Sequence, residues 1–489
     1  MPYRYILIPL LFIMIGCGVN NSKKEKSVDA EWQEAQEEIE DNITTTIPSL
    51  PSPTPTVLPT PTPTPLVVIE KNQKTVTIYV HGYKEKGYKK EQNYGQKYYD
   101  TFKTNLIKYS QLPSNLITAV DYYGDTPPYY YNAQDLEDIE AIDKKYGGGI
   151  PKYAHIVAKF AKEALRETNA SQVNIVSVSM GSLVSRWLIE KDVEQLSSKN
   201  KIAKWITVEG VIRGNYALSQ VKEDNFLLNL LIEKSADTKH MRYQWIEENL
   251  NPIPSQMNSP HYKNIEVAQI SLTDGKDKSS LLKYLLPLYG SFIPNDGFQL
   301  YKDTYFENNI SHTILHQSHV DVKNSQASFL NINNYLKSNR RIQITLLNAS
   351  LTDIYEEITQ DNKNAEIVFE SKVFSPNSKE KWEMQTPIDE RLYKSGILPI
   401  HYYKKGHTTH NLNQVLFDGF VDQDEKSLDI FLEGFEIDNS QTYDINESES
   451  SNNRDSIGLI QTTIELKNGV YEISSDDWGG YVKVEVIKP

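Results

Sequence analysis

One stretch near the middle of the chain constrains its fold most, an apolar run that passes directly into a helical pattern. Val173–Val178 has the composition of a buried β-strand, and the helical spacing of residues 180–188 begins immediately after Ser179. Small residues, Ser177 and Gly181, stand two positions to either side, as in the G-x-S-x-G nucleophile elbow with serine at the first glycine. So tight a strand-to-helix turn strains the serine backbone and crowds its neighbours. Ser179 is therefore the candidate nucleophile.

Strands and helices alternate on both sides of this turn, and the strands are continuous apolar runs. That pattern is typical of a parallel sheet covered by helices on both faces. A leucine-rich segment from Asn225 to about Pro260 is interpreted as an inserted helical cap. Past Arg340 short alternating strands separated by polar turns predict an all-β sandwich, with no helix of any length. The predicted strands and helices of the first part are Thr75–Val80, Tyr94–Tyr109, Leu116–Val120, Pro151–Thr168, Trp205–Val208, Ile265–Ile270, Leu281–Tyr289 and Ser325–Leu336; the residues between Tyr289 and His319 are predicted to be loops.

The N-terminus has the layout of a bacterial lipoprotein. An apolar run, Tyr5–Gly16, follows Arg4, is too short to span a bilayer and ends at Cys17, which is the one cysteine of the chain. Met14 to Cys17 resembles a lipobox, in which the cysteine is lipidated, and Gly18 resembles the residue after the cysteine in outer-membrane lipoproteins. We therefore expect a membrane anchor at Cys17 and a place in the bacterial cell envelope, at the outer membrane, on the periplasmic side or exposed at the surface.

The domain boundaries follow from these changes in composition. Residues 1–17 are predicted to be the signal peptide, and residues 18–66 a tether whose proline-threonine repeats favour extended polyproline II. Residues 67–338 are predicted to form the α/β domain and residues 339–489 the sandwich. A net charge of -14 and a pI near 5.3 argue against a phosphate-neutralising surface, so no nucleic-acid partner is expected.

A serine hydroxyl becomes a nucleophile when an imidazole takes its proton and a carboxylate orients that imidazole. The histidines that follow Ser179 in the α/β domain are His240, His261, His312, His316 and His319. His319 is the preferred base. Two acids remain open, Asp274 after a predicted strand and Asp296 in an Asn-Asp-Gly turn.

Residues 177–186 resemble the nucleophile region of bacterial triacylglycerol lipases, and further motifs extend this resemblance over about residues 67–336. His81-Gly82-Tyr83 resembles the oxyanion loop of that α/β-hydrolase family, residues 295–297 its acid motif and residues 319–321 its histidine followed by a calcium-binding aspartate. Residues 207–215 stand where these lipases have a Thr-Pro-His-Arg-Gly turn, without its proline and histidine. The resemblance implies an α/β-hydrolase fold.

The resemblance also implies roles for single residues. It makes Ser179, His319 and Asp296 a catalytic triad, with Asp274 as the alternative acid. The resemblance implies that the backbone N–H groups of Tyr83 and Met180 form the oxyanion hole. Two aspartates, Asp274 and Asp321, match the ligands of a structural calcium ion, and no cofactor is required for the chemistry.

These features together predict a serine carboxylic-ester hydrolase, a lipase or esterase that acts on acyl or lipid esters at the envelope. Phospholipase and thioesterase action are the nearest enzymatic alternatives, since the residues do not distinguish leaving groups. A different class is also open: a catalytically inactive hydrolase fold whose sandwich serves as a binding or adhesion module.

Overall fold

A computed structural model describes most of the chain after Gln73, and the descriptions below concern only those residues. Several predicted features lie outside them: Cys17, the tether, residues 226–232 of the predicted cap, the predicted helix at residues 281–289, Asp274, His316 and Asp321. The described ranges are 74–83, 94–110, 112–123, 127–220, 235–252, 260–272, 295–306, 310–315, 317–319, 325–338, 340–351, 365–374, 383–385, 401–403, 409–437, 454–476 and 478–488.

The helices lie in the first part of the described chain. They are α1 Tyr94–Ser110, α2 Ala133–Tyr146, α3 Ile150–Thr168, α4 Met180–Glu190, α5 Tyr216–Ser219, α6 Ala236–His240, α7 Tyr243–Asn249 and α8 Gln326–Lys337. Short 3-10 turns are found at Ser114–Leu116, Val193–Gln195, Pro260–Tyr262 and Tyr301–Asp303.

The strands run through the whole described chain. They are β1 Thr75–Val80, β2 Ile117–Val120, β3 Gln172–Val178, β4 Ile202–Val208, β5 Glu266–Leu272, β6 Ser311–Leu315, β7 Arg341–Leu351, β8 Ala365–Phe374, β9 Glu383–Gln385, β10 His401–Tyr403, β11 Thr409–Phe420, β12 Ser427–Ile437, β13 Arg454–Glu465, β14 Gly469–Ser474 and β15 Trp478–Lys488.

A parallel sheet organises the first part of the molecule. Its strand order is β2-β1-β3-β4-β5-β6, and every neighbouring pair is parallel. The strands are buried because helices cover the sheet, and two apolar clusters fill the space between helices and strands. In open sheets of this kind ligands bind beyond the carboxyl ends of the strands.

Two antiparallel sheets form the second part. One has the order β10-β8-β12-β13 with β9 paired to β8, and the other has the order β11-β7-β15-β14. A common core of buried residues joins them, with Ile344, Phe369 and Ile430 among its fully or almost fully buried side chains. This β-sandwich and the helix-covered parallel sheet confirm the predicted fold class. The boundary between the predicted domains stays a prediction.

The best predicted helix is α3, because its sequence carries both a start signal and an apolar face. Pro151 lies in its first turn, where a missing N–H costs nothing, and buried alanines alternate with Ile150 and Val157 on the face toward the sheet. Among the residues described, no helix is both long and apolar enough to cross a lipid bilayer.

Two elements differ from the sequence prediction. Helix α2 lies in a stretch that the sequence analysis did not assign, and its ends carry ordinary signals: a reciprocal capping box between Asn132 and Asp135 and a left-handed C-cap at Gly147. Strand β6 lies where only loops were predicted. It is the edge strand of the parallel sheet and pairs with β5 from Ala268↔Ser311 to Leu272↔Leu315.

The start of α4 crosses the end of β1 at very short range. A Cβ placed on Gly181 would lie 2.4 Å from the carbonyl oxygens of both Val80 and His81. Backbone atoms cannot yield as a flexible side chain would, so this position admits only glycine without movement of β1 or α4. The glycine of the elbow motif is thus explained by a contact between two backbones.

We expect Gly181→Ala to lower the free energy of unfolding by about 3 kcal/mol, because the added methyl group overpacks a rigid contact. Urea unfolding followed by circular dichroism measures the change. Gly147→Ala is the control: its Cβ would meet no atom within 4 Å, and only its positive φ of 76° costs stability, by about 1 kcal/mol. A Gly181→Ala protein as stable as the control would contradict this account.

Candidate active site

Ser179 occupies the strained turn between β3 and α4. Its backbone has φ 54° and ψ −126°, a conformation that non-glycine residues rarely adopt. Hydrogen bonds hold it there: its N–H donates to the carbonyl of Val208 at 3.0 Å, and its carbonyl accepts from the N–H groups of Ser182 and Val211. Strain of this kind persists only where the surroundings enforce it.

The imidazole of His319 lies against this hydroxyl. Nε2 of His319 is 3.1 Å from Oγ of Ser179, and Nδ1 is 2.8 Å from Oδ2 of Asp296. Both distances are those of hydrogen bonds. The hydroxyl, imidazole and carboxylate therefore form one continuous chain of hydrogen bonds, which comes from three separate loops.

Asp296 is fully buried and held by its own turn. Its Oδ1 accepts hydrogen bonds from the N–H groups of Phe298 and Gln299, at 2.9 and 2.7 Å, and its carbonyl accepts from the N–H of His319 at 2.9 Å. Such bonds stabilise a carboxylate as an anion and fix its direction. The same turn thus positions both the acid and the backbone of the histidine.

The other acid considered from the sequence, Asp274, lies outside the described residues, so its distance from His319 is not defined. Two of the other histidines considered as the base, His240 and His312, bond residues away from Ser179. His240 accepts a hydrogen bond from the N–H of Ile150, and Nε2 of His312 lies 2.8 Å from Oγ of Ser271. Burial lowers the pKa of each to about 4, so both are neutral at physiological pH.

The loop His81-Gly82-Tyr83 passes directly over the serine. A Cβ on Gly82 would lie 2.9 Å from Cβ of Ser179, so only a glycine lets the loop approach this closely. Tyr83, next in the chain, is half-buried, and Met180 is buried at the first position of α4, where the helix dipole favours negative charge. Of the two residues assigned to an oxyanion hole, Met180 therefore directly follows Ser179, and Tyr83 directly follows the glycine that approaches it.

Two tyrosines between β2 and α2, Tyr122 and Tyr129, have different environments. Tyr122 is buried, stacks on His81 with ring centroids 4.0 Å apart, and donates a hydrogen bond to the carbonyl of His81 at 2.5 Å. Burial raises its pKa well above the usual value, so the hydroxyl stays a donor. Tyr129 is exposed and bonds Glu163 on α3. The first tyrosine supports the loop over the serine, and the second packs on the surface.

Ser177, which stands where the motif usually has glycine, is fully buried and hydrogen bonded. Its Oγ accepts from Nε1 of Trp205 at 2.9 Å and lies 3.1 Å from Oγ of Ser182 and 3.3 Å from the carbonyl of Ile206. Its side chain therefore joins β3 to β4 and to α4 beneath the nucleophile. This position tolerates serine because a polar partner is present for it.

A buried ion pair fixes the far half of α4. Nε of Arg186 lies 2.7 Å from Oε1 of Glu190, and Nη1 donates to the carbonyl of Ile212 at 2.7 Å. Tyr262 and the N–H of Asn251 also bond the carboxylate of Glu190. Removing either partner of such a pair leaves an uncompensated buried charge, so this network ties α4 to the segment after β4.

The sequence analysis missed Glu209, which follows β4 directly. Its Oε2 lies 3.2 Å from Nδ1 of His319, and its side chain is 1% exposed. The available signal was an acidic residue just after a buried parallel strand, in Thr207-Val208-Glu209-Gly210, at the sheet edge that also bears Ser179. Glu209, Asp296 and His319 also form a cluster that could hold a metal ion. Each residue offers one ligand atom, and within the described part of the chain these atoms lie within 4.8 Å of one another.

Neither a protein-family model nor a curated protein matches the chain. Solved structures to which it is similar include a lipase from Bacillus licheniformis in mature form (14% identity, 53% of this chain and 88% of that chain, TM-score 0.33). Others are a phospholipase from Legionella pneumophila (9%, 76% and 87%, 0.34) and an esterase from Pyrobaculum calidifontis (12%, 53% and 75%, 0.26). TM-scores this low identify no substrate, so the site itself carries the functional argument.

Proposed function

We propose that this protein is a serine carboxylic-ester hydrolase, a lipase or esterase that acts on acyl or lipid esters at the bacterial cell envelope. The observation that carries the proposal is the chain of hydrogen bonds from Oγ of Ser179 through His319 to Asp296, with distances of 3.1 and 2.8 Å. A lone serine or histidine has many structural uses. A strained serine that bonds an imidazole oriented by a buried carboxylate is the arrangement that nucleophilic catalysis requires.

The proposed reaction has two halves. Oγ of Ser179 attacks the ester carbonyl as Nε2 of His319 takes its proton, and the tetrahedral oxyanion lies toward the N–H groups of Tyr83 and Met180. The imidazolium then protonates the leaving alcohol as the C–O bond breaks. In the second half His319 takes a proton from water, hydroxide adds to the acyl-enzyme, and the acid leaves as Ser179 regains its proton.

An apolar acyl chain is the proposed substrate group. The ring of Phe298 is 36% exposed, and its centroid lies 5.1 Å from that of His319, so an apolar surface borders the reacting atoms. A phospholipid or an acyl thioester offers the same acyl group with another leaving group. Rates on matched acyl esters, phospholipids and thioesters distinguish these activities, and chain-length preference distinguishes a lipase from an esterase.

We expect purified protein to hydrolyse p-nitrophenyl acyl esters and Ser179→Ala to lower kcat at least about a thousandfold, because no other group replaces the nucleophile. Ser185→Ala is the matched control: it removes a buried serine hydroxyl from the same helix, where that hydroxyl bonds the carbonyl of Gly181. Equal, negligible release of p-nitrophenol by wild type and Ser179→Ala would favour the alternative of an inactive hydrolase fold that serves as a binding or adhesion module.

The membrane anchor at Cys17 is part of the proposal. We expect the full chain, expressed in a diderm bacterium, to incorporate radiolabelled palmitate and to sediment with the outer membrane, whereas Cys17→Ala incorporates none, because acylation requires the thiol. Ser179→Ala should be labelled as wild type is. Equal labelling of Cys17→Ala would place the lipid on another residue and refute the anchor.

A structural calcium ion between Asp274 and Asp321 is also proposed, because these two aspartates resemble the calcium ligands of bacterial triacylglycerol lipases. Asp274 follows the end of β5 by two residues and Asp321 follows His319 by two, and Leu272 pairs with Leu315 where these adjacent strands end. Calcium takes oxygen ligands, and carboxylates are among them. We expect a chelator to lower the melting temperature of wild type and to leave that of Asp321→Asn unchanged. A chelator effect on neither protein would exclude the ion.

A further inference from the structure

Two buried carboxylates face the same nitrogen of His319. Oδ2 of Asp296 is 2.8 Å from Nδ1, and Oε2 of Glu209 is 3.2 Å from it. The two acidic side chains are 0% and 1% exposed. The imidazole therefore has two anionic neighbours on the side away from Ser179, whereas a catalytic triad needs one.

The backbone around Glu209 holds this carboxylate in place. Val178 and Val208 are register partners in adjacent parallel strands, so Ser179 and Glu209 leave the sheet side by side. The N–H of Glu209 donates to the carbonyl of Ile270 at 2.8 Å, and its φ is 45°. This left-handed conformation favours glycine or asparagine, and a glutamate there is strained. Strain that persists beside a candidate nucleophile points to a use for the side chain.

We propose that Glu209 is a second positioning acid for His319, able to hold the Nδ1 proton when Asp296 does not. The inference rests on the proposed hydrolase function. Nδ1–H donates to one carboxylate at a time, so either acid keeps the tautomer in which Nε2 is free to accept the proton of Ser179. When that proton arrives, the imidazolium carries a positive charge beside two carboxylates that both face Nδ1. Both carboxylates then stabilise it, and the repulsion between them is offset.

The proposal predicts redundancy between the two acids. In a triad with one acid, aspartate-to-asparagine exchange lowers kcat by about 10⁴ because the amide selects the wrong tautomer. Here Glu209 still accepts the Nδ1 proton, so Asp296→Asn should keep a rate within about a hundredfold of wild type, and Glu209→Gln within about tenfold. The double variant should fall by about 10⁴, which is more than the product of the two single losses.

The measurement is the rate at which a fluorophosphonate labels Ser179, together with kcat and KM on a p-nitrophenyl ester. Labelling reports activation of the serine whatever the natural ester is. The losses should appear in kcat with KM unchanged, because Glu209 contacts the imidazole of His319. A side chain that only supports the fold would give losses that multiply, and would change KM and thermal unfolding as well.

Two further variants keep the test decisive. Glu209→Gly removes the carboxylate and relieves the backbone strain, so it should fold and should match Glu209→Gln in rate. Asp303→Asn is the matched control: Asp303 is also buried, bonds the hydroxyl of Tyr243 and holds the segment after Glu209 through its carbonyl. Combined with Asp296→Asn, this control should give a loss equal to the product of the single losses.

The outcomes separate the inference from the proposed function. One result overturns the inference alone: the fluorophosphonate labels wild-type protein, and the loss of rate in the double variant equals the product of the losses in Glu209→Gln and Asp296→Asn. The inference is also overturned if neither Glu209→Gln nor Glu209→Gly changes the rate by more than about twofold, either in the wild-type background or in the Asp296→Asn background. Wild-type protein that neither reacts with the fluorophosphonate nor hydrolyses esters overturns the hydrolase function, and the inference with it.

Discussion

The contact between the start of α4 and the end of β1 is the constraint on which the candidate site depends. Gly181 approaches the carbonyl oxygens of Val80 and His81 so closely that no Cβ fits, and a Cβ on Gly82 would lie 2.9 Å from Cβ of Ser179. Together the two glycines bring the loop after β1 onto the turn after β3. If either backbone moved outward by the radius of a methyl group, the N–H groups proposed for the oxyanion would move away from the serine. Geometry at this precision is what such donors need, since their effect depends on where the negative charge develops.

Register within the parallel sheet then determines which side chains meet. Strands β1, β3, β4 and β5 end at the same edge of the sheet. The loop of Gly82 follows β1, Ser179 follows β3, and Glu209 follows β4. The chain after β5 continues to the acid turn. The strands themselves are largely apolar and buried. The polar residues of this region therefore lie in the segments that follow the strand ends. Beneath the turn, Oγ of Ser177 accepts a hydrogen bond from Trp205, and the Arg186–Glu190 pair is buried in the far half of α4. The site is therefore supported by buried polar bonds as well as by apolar packing.

The sequence was informative where periodicity or a motif reports a local conformation. Strand β1 was predicted to the residue, α3 to within one residue, and Ser179, Asp296 and His319 were selected from motifs that the fold brings into contact. Helix α2 was missed because half of its residues are charged and Asp135 is its one buried residue, so the apolar spacing of Ile139, Ile142 and Tyr146 is inconspicuous. Strand β6 was missed because it is five residues long and pairs on one side with β5 alone within its sheet. Glu209 was missed although it directly follows a predicted strand, because its position beside His319 depends on the pairing of β3 with β4 and not on a motif.

The edge of β6 that faces away from β5 lies beside the sandwich. An edge strand with unpaired backbone groups invites association with other chains. Here β11 of the sandwich lies beside it, since Oγ of Ser311 hydrogen bonds the carbonyl of Asp418 at 3.3 Å. The ring of Phe420 packs against Tyr335 of α8 and joins the apolar cluster on that face of the parallel sheet. The sandwich thus shares core residues with the sheet that bears the site. Because β6 leads directly to His319, packing of the sandwich on β6 also restrains the strand from which the catalytic base of the proposed reaction extends.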